Sequence, residues 1–288
     1  MYLEFYGLKQ FPFSLTPDPR FIFKTESHLE MLATVKYGVE QSKGLIVVTG
    51  EVGTGKTTML RLALRQLGEE VLPVYIFNPF LTAAEFFEQV AAEFELEVGK
   101  RISKPDLLAK LGHMVSMRHA QGLKTLLVVD EAHGLPTPLL EEIRLLLNFE
   151  TNDEKLLQII LSGQPELQEV LNKPQLRQLK QRIALRSAIK PLSLFEISKY
   201  VRFRLKQSGA ASVNLFDNHA IGLIGTVSQG IPRVINNMCD NALLYGYASG
   251  SETITREIVE EVVENLDLAT SNLRKNPAPE FGEVISRA

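Results

Sequence analysis

The sequence predicts a parallel α/β sheet with helices on both faces, followed by a smaller all-helical region. Three observations carry that expectation. Short apolar runs alternate with longer amphipathic stretches between about residues 25 and 191, as in successive β-α-β units. A glycine-rich turn, Gly50-Glu51-Val52-Gly53-Thr54-Gly55-Lys56-Thr57, follows the first of those runs and opens a helix. After Pro191 the strand-like runs cease and only the helical period remains.

Composition sets the frame for these elements. A chain of 288 residues, 45% hydrophobic and 23% charged, has the apolar material for one large domain and an appendage, which excludes a disordered chain. The net charge of -3 argues against a uniformly basic nucleic-acid binder. The single cysteine, Cys239, rules out an intrachain disulfide. Residues 1–14 contain Glu4 and alternate aromatic with polar positions, unlike a secretory leader, and no apolar run approaches the roughly 20 residues that span a bilayer. A cytoplasmic location is therefore expected, with peripheral attachment at an inner membrane left open.

In chain order, residues 1–24 place Pro12, Pro17 and Pro19 among Phe5, Phe11, Phe13, Phe21 and Phe23, an extended aromatic segment expected to pack on the core. The α/β core is expected over 25–191. It opens with a helix whose capping box is Ser27 and Glu30 and whose apolar face is Leu29, Leu32, Val35 and Val39. Leu45 to Val48 forms a buried strand, Val74 to Phe77 a second, and Thr82 to Phe94 a helix capped by Thr82 and Glu85. A helix over 105–119, a strand over 126–129, a helix over 138–149, a strand over 156–161 and a short strand over 187–189 complete it. Ser193 and Glu196 then form another capping box, and helices over 194–207, 218–228, 232–246 and 256–266 make a helical lid at 192–268. The stretch 269–288, with Pro277 and Pro279, has no period and reads as a mobile tail.

The turn at 50–57 matches GxxxxGK[ST] in the strand-turn-helix context that the pattern requires. Its glycines let backbone N–H groups surround phosphate oxygens, Lys56 supplies charge to the β- and γ-phosphates, and Thr57 offers a hydroxyl to Mg²⁺. Glu51, Val52, Gly53, Thr54, Gly55, Lys56, Thr57 and Thr58 are accordingly the expected triphosphate cradle. Downstream, the apolar strand Leu126-Leu127-Val128-Val129 ends in Asp130-Glu131, at the strand end where open sheets bind ligands. Asp130 would hold Mg²⁺ with Thr57, and Glu131 would orient the water that attacks the γ-phosphate. Asp130-Glu131-Ala132-His133 spells the motif of one helicase family, yet the chain lacks the second core domain and the late arginine-rich motif. Asn172-Lys173-Pro174-Gln175 lacks the aspartate of a guanine-recognition motif, so adenine is the expected base.

The order of phosphate loop, Asp-Glu strand, Leu161-Ser162-Gly163-Gln164-Pro165, Gln181-Arg182-Ile183 and Gly230-Ile231-Pro232-Arg233 resembles the AAA+ ATPases of the P-loop NTPase class. The opening Tyr6-Gly7-Leu8, Pro12-Phe13 and Thr16-Pro17-Asp18-Pro19-Arg20-Phe21 is similar to the ExeA/GspA secretion ATPases, relatives of the TnsC, TniB and MuB transposition ATPases. The resemblance implies ATP and Mg²⁺ as ligands and ATP hydrolysis as the activity. It gives Ser162 and Gln164 to the γ-phosphate sensor, Arg182 to an arginine finger reaching a neighbouring subunit's ATP, with Arg177 and Arg186 as competitors, and Arg233 to a second sensor. Phe21, Ile22 and Phe23 are either adenine neighbours or a hydrophobic anchor.

Charge is unevenly distributed. Residues 173–206 hold ten basic side chains and one acid, whereas 130–154 hold seven acids and Arg144 as the one Lys or Arg. That opposition suits a homo-oligomer built head to tail, as a ring or a helical filament. Three purposes fit such a cycle: assisting secretion or envelope machinery, forming ATP-dependent filaments on duplex DNA with a transposition partner, or acting as a low-turnover ATP-gated switch. The five histidines lack metal-ligand spacing, and Cys239 falls on an apolar helix face as a core residue.

Overall fold

The computed structural model describes residues 2–16, 18–77, 81–96 and 103–268. Along the chain, helix α1 (Tyr2–Phe5) is followed by α2 (Glu26–Glu40), strand β1 (Leu45–Gly50), α3 (Lys56–Gln66), β2 (Val71–Ile76), α4 (Ala83–Glu93) and α5 (Lys104–Ala120). Strand β3 (Lys124–Val129), α6 (Thr137–Leu146), β4 (Leu157–Gly163), α7 (Glu166–Leu171), α8 (Arg177–Gln181) and β5 (Ile183–Ile189) come next. Helices α9 (Leu194–Gln207), α10 (Asn218–Ser228), α11 (Pro232–Ala248) and α12 (Arg256–Asn265) follow. Two compact units result, one over Glu26–Ile189 and one joining residues up to Thr25 with those from Lys190 onward.

In the first unit the described strands form one parallel sheet in the order β2-β3-β4-β1-β5. β1, β3 and β4 are its interior strands and are buried almost throughout, which is why they read as near-continuous apolar runs. Strand alternation sends Leu45, Val47, Leu127, Val129, Ile159 and Leu161 into one core with Phe86, Leu111, Leu139 and Ile143. Asp130 and Ser162, one residue beyond Val129 and Leu161, therefore face the other side of the sheet. β2 is an edge strand and tolerates Pro73, whose missing N–H would break an interior ladder.

The structure amends several boundaries. α2 starts at Glu26, so Ser27 lies in its first turn and the Ser27/Glu30 capping box is not the start signal. Its buried face is turned: Leu29 is 54% exposed and Met31 is fully buried, because Met31, Val35 and Val39 share the stripe that meets the sheet. β5 extends four residues further toward the N-terminus than the predicted 187–189, paired along β1, where Ile183 and Leu185 are only partly buried, Ala184 and Arg186 are exposed, and the apolar signal is broken. The capping boxes at Thr82/Glu85 and Ser193/Glu196 are formed as predicted.

The second unit packs α9 to α12 around Val201, Leu205, Ile224, Met238, Cys239 and Val259. Burial pushes the Cys239 thiol well above its ordinary range, in keeping with a core residue. The N-terminal segment was expected on the α/β core; it clusters instead with these helices, through Tyr2, Tyr6, Leu8 and Phe13. Tyr2 donates to Asp240 at 2.5 Å, Tyr6 donates to the Ser251 carbonyl at 2.9 Å, and the buried Arg204 donates to the carbonyls of Pro12 and Ser14. The predicted mobile tail from 269 onward lies outside the described residues.

Candidate nucleotide site

β1 ends at Gly50, where a Cβ would sit 2.8 Å from the Ile189 carbonyl oxygen, so the loop can leave the sheet there only with glycine. Gly53 and Gly55 adopt φ of 82° and 98°, a conformation that side chains disfavour. Gly55 is the N-cap of α3 and has no side chain to cap the helix, so the first-turn N–H groups of Lys56, Thr57 and Thr58 present an anion-binding end. Thr54 closes the loop on itself, its hydroxyl donating to the Glu51 carbonyl at 2.8 Å, and the His28 ring lies 3.3 Å from the Thr54 carbonyl oxygen. Glu51 and Val52 are exposed at the tip. The buried Lys56 ammonium folds across the loop and donates to the carbonyls of Gly50 at 2.7 Å and Glu51 at 3.1 Å.

The acidic strand end lies against this loop. Thr57 donates to Asp130 Oδ2 at 2.7 Å, joining two motifs 73 residues apart in sequence. The same oxygen accepts from the Tyr75 hydroxyl at 2.9 Å, and Oδ1 accepts from the Glu131 N–H at 3.0 Å. Asp130 is only 2% exposed, and its backbone N–H extends the ladder to Ile76. Glu131 turns away into a left-handed conformation, φ 53° and ψ 32°, leaving its side chain 42% exposed and 3.5 Å from His133 Nδ1. It makes no side-chain cap bond to the following turn, so capping is not its task. Burial, reinforced by the neighbouring Asp130, pushes the Tyr75 phenol far above its usual range, so Tyr75 stays a donor.

The two residues expected to act as a sensor divide. Gln164 donates its backbone N–H to His133 Nδ1 at 3.4 Å and its side-chain nitrogen lies 3.0 Å from His133 Nε2, while Glu131 lies 3.5 Å from the same Nδ1, so His133 sits between the two. Ser162 is fully buried beside β1 in register with Val48, and its hydroxyl has no hydrogen-bond partner among the described residues. An orphaned hydroxyl on the Asp130 side of the sheet, an uncapped helix end and an all-oxygen pair at Thr57 and Asp130 fit a triphosphate with Mg²⁺, which takes one or two protein oxygens and completes its shell with phosphate and water. Sequence reasoning missed Tyr75 and His133; the alternation of β2, which puts Tyr75 level with Val128, was the available signal for the first.

Other predicted residues lie elsewhere. Arg182 ends α8 and donates to the Leu147 carbonyl at 3.3 Å. β5 pairs with β1 from Ile183 opposite Leu45 to Ile189 opposite Gly50, so Arg182 sits at the end of the sheet opposite the phosphate loop. Arg177 and Arg186 are exposed. Arg233 is an exposed residue in the first turn of α11, in the helical unit, behind Pro232. Phe21 is buried under the Arg204 guanidinium and Phe23 packs edge-on to Tyr200, which makes both an anchor of the N-terminal segment.

The charge opposition is weaker than the counts suggested. Arg204 is buried, and the basic run is divided between the two units. Among the acids, Glu141 pairs with Arg144, Glu142 with Lys104 and Glu150 with Lys155.

Comparison with known proteins matches residues 39–171 to the AAA domain family. General secretion pathway protein A of Aeromonas hydrophila is 42% identical over 254 residues, 88% of this chain and 46% of that protein, so the chain spans about half the length of this curated relative. Among solved structures, Cdc6p from Pyrobaculum aerophilum matches with a TM-score of 0.66 at 17% identity, over 88% of this chain and 70% of that one. The Thermotoga maritima RuvB Holliday junction branch migration motor matches with a TM-score of 0.56 at 17% identity, over 89% and 74%. At these identities the structural matches speak for the fold.

Proposed function

This chain carries an AAA+ domain and resembles general secretion pathway protein A over most of its length, and from that premise we propose that it binds ATP with Mg²⁺ and hydrolyses it. The observation that carries the proposal is the 2.7 Å hydrogen bond between Thr57 and Asp130, which brings the phosphate loop and the acidic strand end to one point. Lys56 would leave the carbonyls of Gly50 and Glu51 for the phosphates, and the N–H groups from Gly53 to Thr58 would cradle them. Thr57 and Asp130 would hold Mg²⁺, which supplies charge to neutralise the phosphate oxygens. Glu131 would orient the attacking water and accept its proton, with Gln164 reporting on the γ-phosphate through His133. Arg182 would serve the neighbouring subunit's site in a head-to-tail homo-oligomer, and Arg233 would act as the second sensor.

The biological task we infer is assistance to secretion or envelope machinery, on the cytoplasmic side where ATP is supplied. The named relative supports this reading. No helix among the described residues is long and apolar enough to cross a membrane. A second reading, assembly on duplex DNA, draws on the exposed Lys173, Arg177, Lys180 and Arg186.

Titration calorimetry with ATP and Mg²⁺ tests the core of the proposal. Lys56→Ala is expected to weaken ATP binding about 100-fold, roughly 3 kcal/mol. Glu131→Gln should keep ATP bound while turnover drops about 10²- to 10⁴-fold. Absence of heat with the parent protein overturns the site assignment, and ATP binding without turnover leaves the switch reading. A rise in ATPase rate with duplex DNA that falls steeply with salt favours the second reading over the first.

A further inference from the structure

We infer that Tyr75 is a positioning residue for the metal-facing carboxylate, its hydroxyl fixing Asp130 together with Thr57. The inference rests on the nucleotide-site reading above and adds a residue from a different strand to it. Asp130 Oδ2 accepts two hydrogen bonds, from Thr57 at 2.7 Å and from Tyr75 at 2.9 Å, which occupy both of its lone pairs. Oδ1 accepts from the Glu131 N–H at 3.0 Å and keeps one lone pair open. The carboxylate can therefore offer a metal-bound water a single direction, and the direction is set by the three donors.

Tyr75 is itself held. Its ring stacks on Phe77 with centroids 4.2 Å apart, and the Arg61 guanidinium lies 5.4 Å from the Phe77 ring centroid. Arg61 is four residues after Thr57 in α3, so both project from one side of that helix. Arg61, Phe77, Tyr75, Asp130 and Thr57 thus form a closed circuit that returns to the helix it left. Without the hydroxyl, Oδ2 regains a lone pair and the carboxylate gains a rotation that Thr57 alone does not block. The residue acts through Asp130 and does not itself meet the metal, so its loss should appear in metal use before nucleotide affinity.

The test titrates Mn²⁺ into protein with ATP, followed by electron paramagnetic resonance of free Mn²⁺, in the full chain. Tyr75→Phe is expected to raise the Mn²⁺ half-saturation about tenfold, the size of one hydrogen bond to a charged group, while ATP affinity in EDTA stays within about twofold of the parent. In an Asp130→Asn background the same substitution should produce a much smaller change, because the hydroxyl works through the carboxylate and the amide oxygen that remains holds a metal poorly. An unchanged half-saturation in Tyr75→Phe, or a full additional shift in the Asp130→Asn background, overturns the inference. Should Tyr75→Phe not fold, Phe77→Leu keeps the hydroxyl and removes the stack; a shift of about threefold in the same direction is expected, and no shift overturns the inference as well. If the parent holds no Mn²⁺ with ATP, or Asp130→Asn leaves its half-saturation unchanged, the nucleotide-site reading fails; a normal parent and a weakened Asp130→Asn beside an unaffected Tyr75→Phe fail the Tyr75 inference alone.

Discussion

At Glu131 the backbone sits at φ 53° and ψ 32°, a left-handed conformation that costs a residue with a Cβ about 1–2 kcal/mol. Strain of this kind persists where surrounding structure imposes it: the Glu131 N–H is held by Asp130 Oδ1, and the next turn starts immediately with Ala132. The result separates two consecutive carboxylates, one buried on the helix α3 side and one half-exposed toward His133. Arg204 is the corresponding fixed point of the helical unit. Its guanidinium donates to Pro12, Ser14 and Tyr200 and lies 4.8 Å from the Phe21 ring centroid, so it ties the N-terminal segment to α9. Replacing it with methionine leaves two carbonyls short of a donor, and we expect a loss of about 2–4 kcal/mol. Arg204→Lys should recover less than half of that, because an ammonium cannot span the same fork of acceptors. The chain has no tryptophan, so urea unfolding would be followed by circular dichroism. An Arg204→Met variant as stable as the parent would remove the clasp from the account.

Two helices begin with complete capping boxes, Thr82 with Glu85 on α4 and Ser193 with Glu196 on α9. Each box satisfies two backbone groups locally, and Thr82→Ala or Ser193→Ala should each cost about 1 kcal/mol. The two sites belong to different units and share no partner, so the double variant should lose the sum to within about 0.5 kcal/mol in equilibrium unfolding. A markedly larger combined loss would mean that the two caps are energetically coupled, and a markedly smaller one that the two units unfold separately. These elements were legible in the sequence because their signals are local: the cap residue and its partner are three positions apart, and the phosphate loop lies within eight. What escaped depended on pairing at long range. Tyr75 reaches Asp130 only because β2 lies next to β3 in register, and the N-terminal aromatics chose the helical unit through Arg204, some 190 residues away. β5 hid its first residues because an edge strand with one solvent-facing side breaks the apolar run.

For the whole molecule, the position of Arg182 decides how the proposed site can be completed. Ile183 pairs with Leu45 and Ile189 with Gly50, so about five strand residues, near 17 Å at the rise of an extended chain, separate Arg182 from the phosphate loop of its own subunit. That span exceeds the reach of one arginine side chain, and a role for Arg182 in hydrolysis therefore requires a second copy of the chain. The requirement can be tested by mixing two inactive proteins. Lys56→Ala retains Arg182 but cannot hold ATP well, whereas Arg182→Ala retains the loop but offers no finger. In a random equimolar assembly of closed head-to-tail contacts, about one interface in four joins an intact loop to an intact finger, so ATPase activity should recover to about a quarter of the parent rate. Arg182→Ala alone should still bind ATP and lose about 10³-fold or more in turnover. If the mixture stays inactive, Arg182 does not act across an interface; if Arg182→Ala turns over at the parent rate by itself, its bond to the Leu147 carbonyl is its whole role, and Arg177→Ala and Arg186→Ala are then the variants to mix with Lys56→Ala.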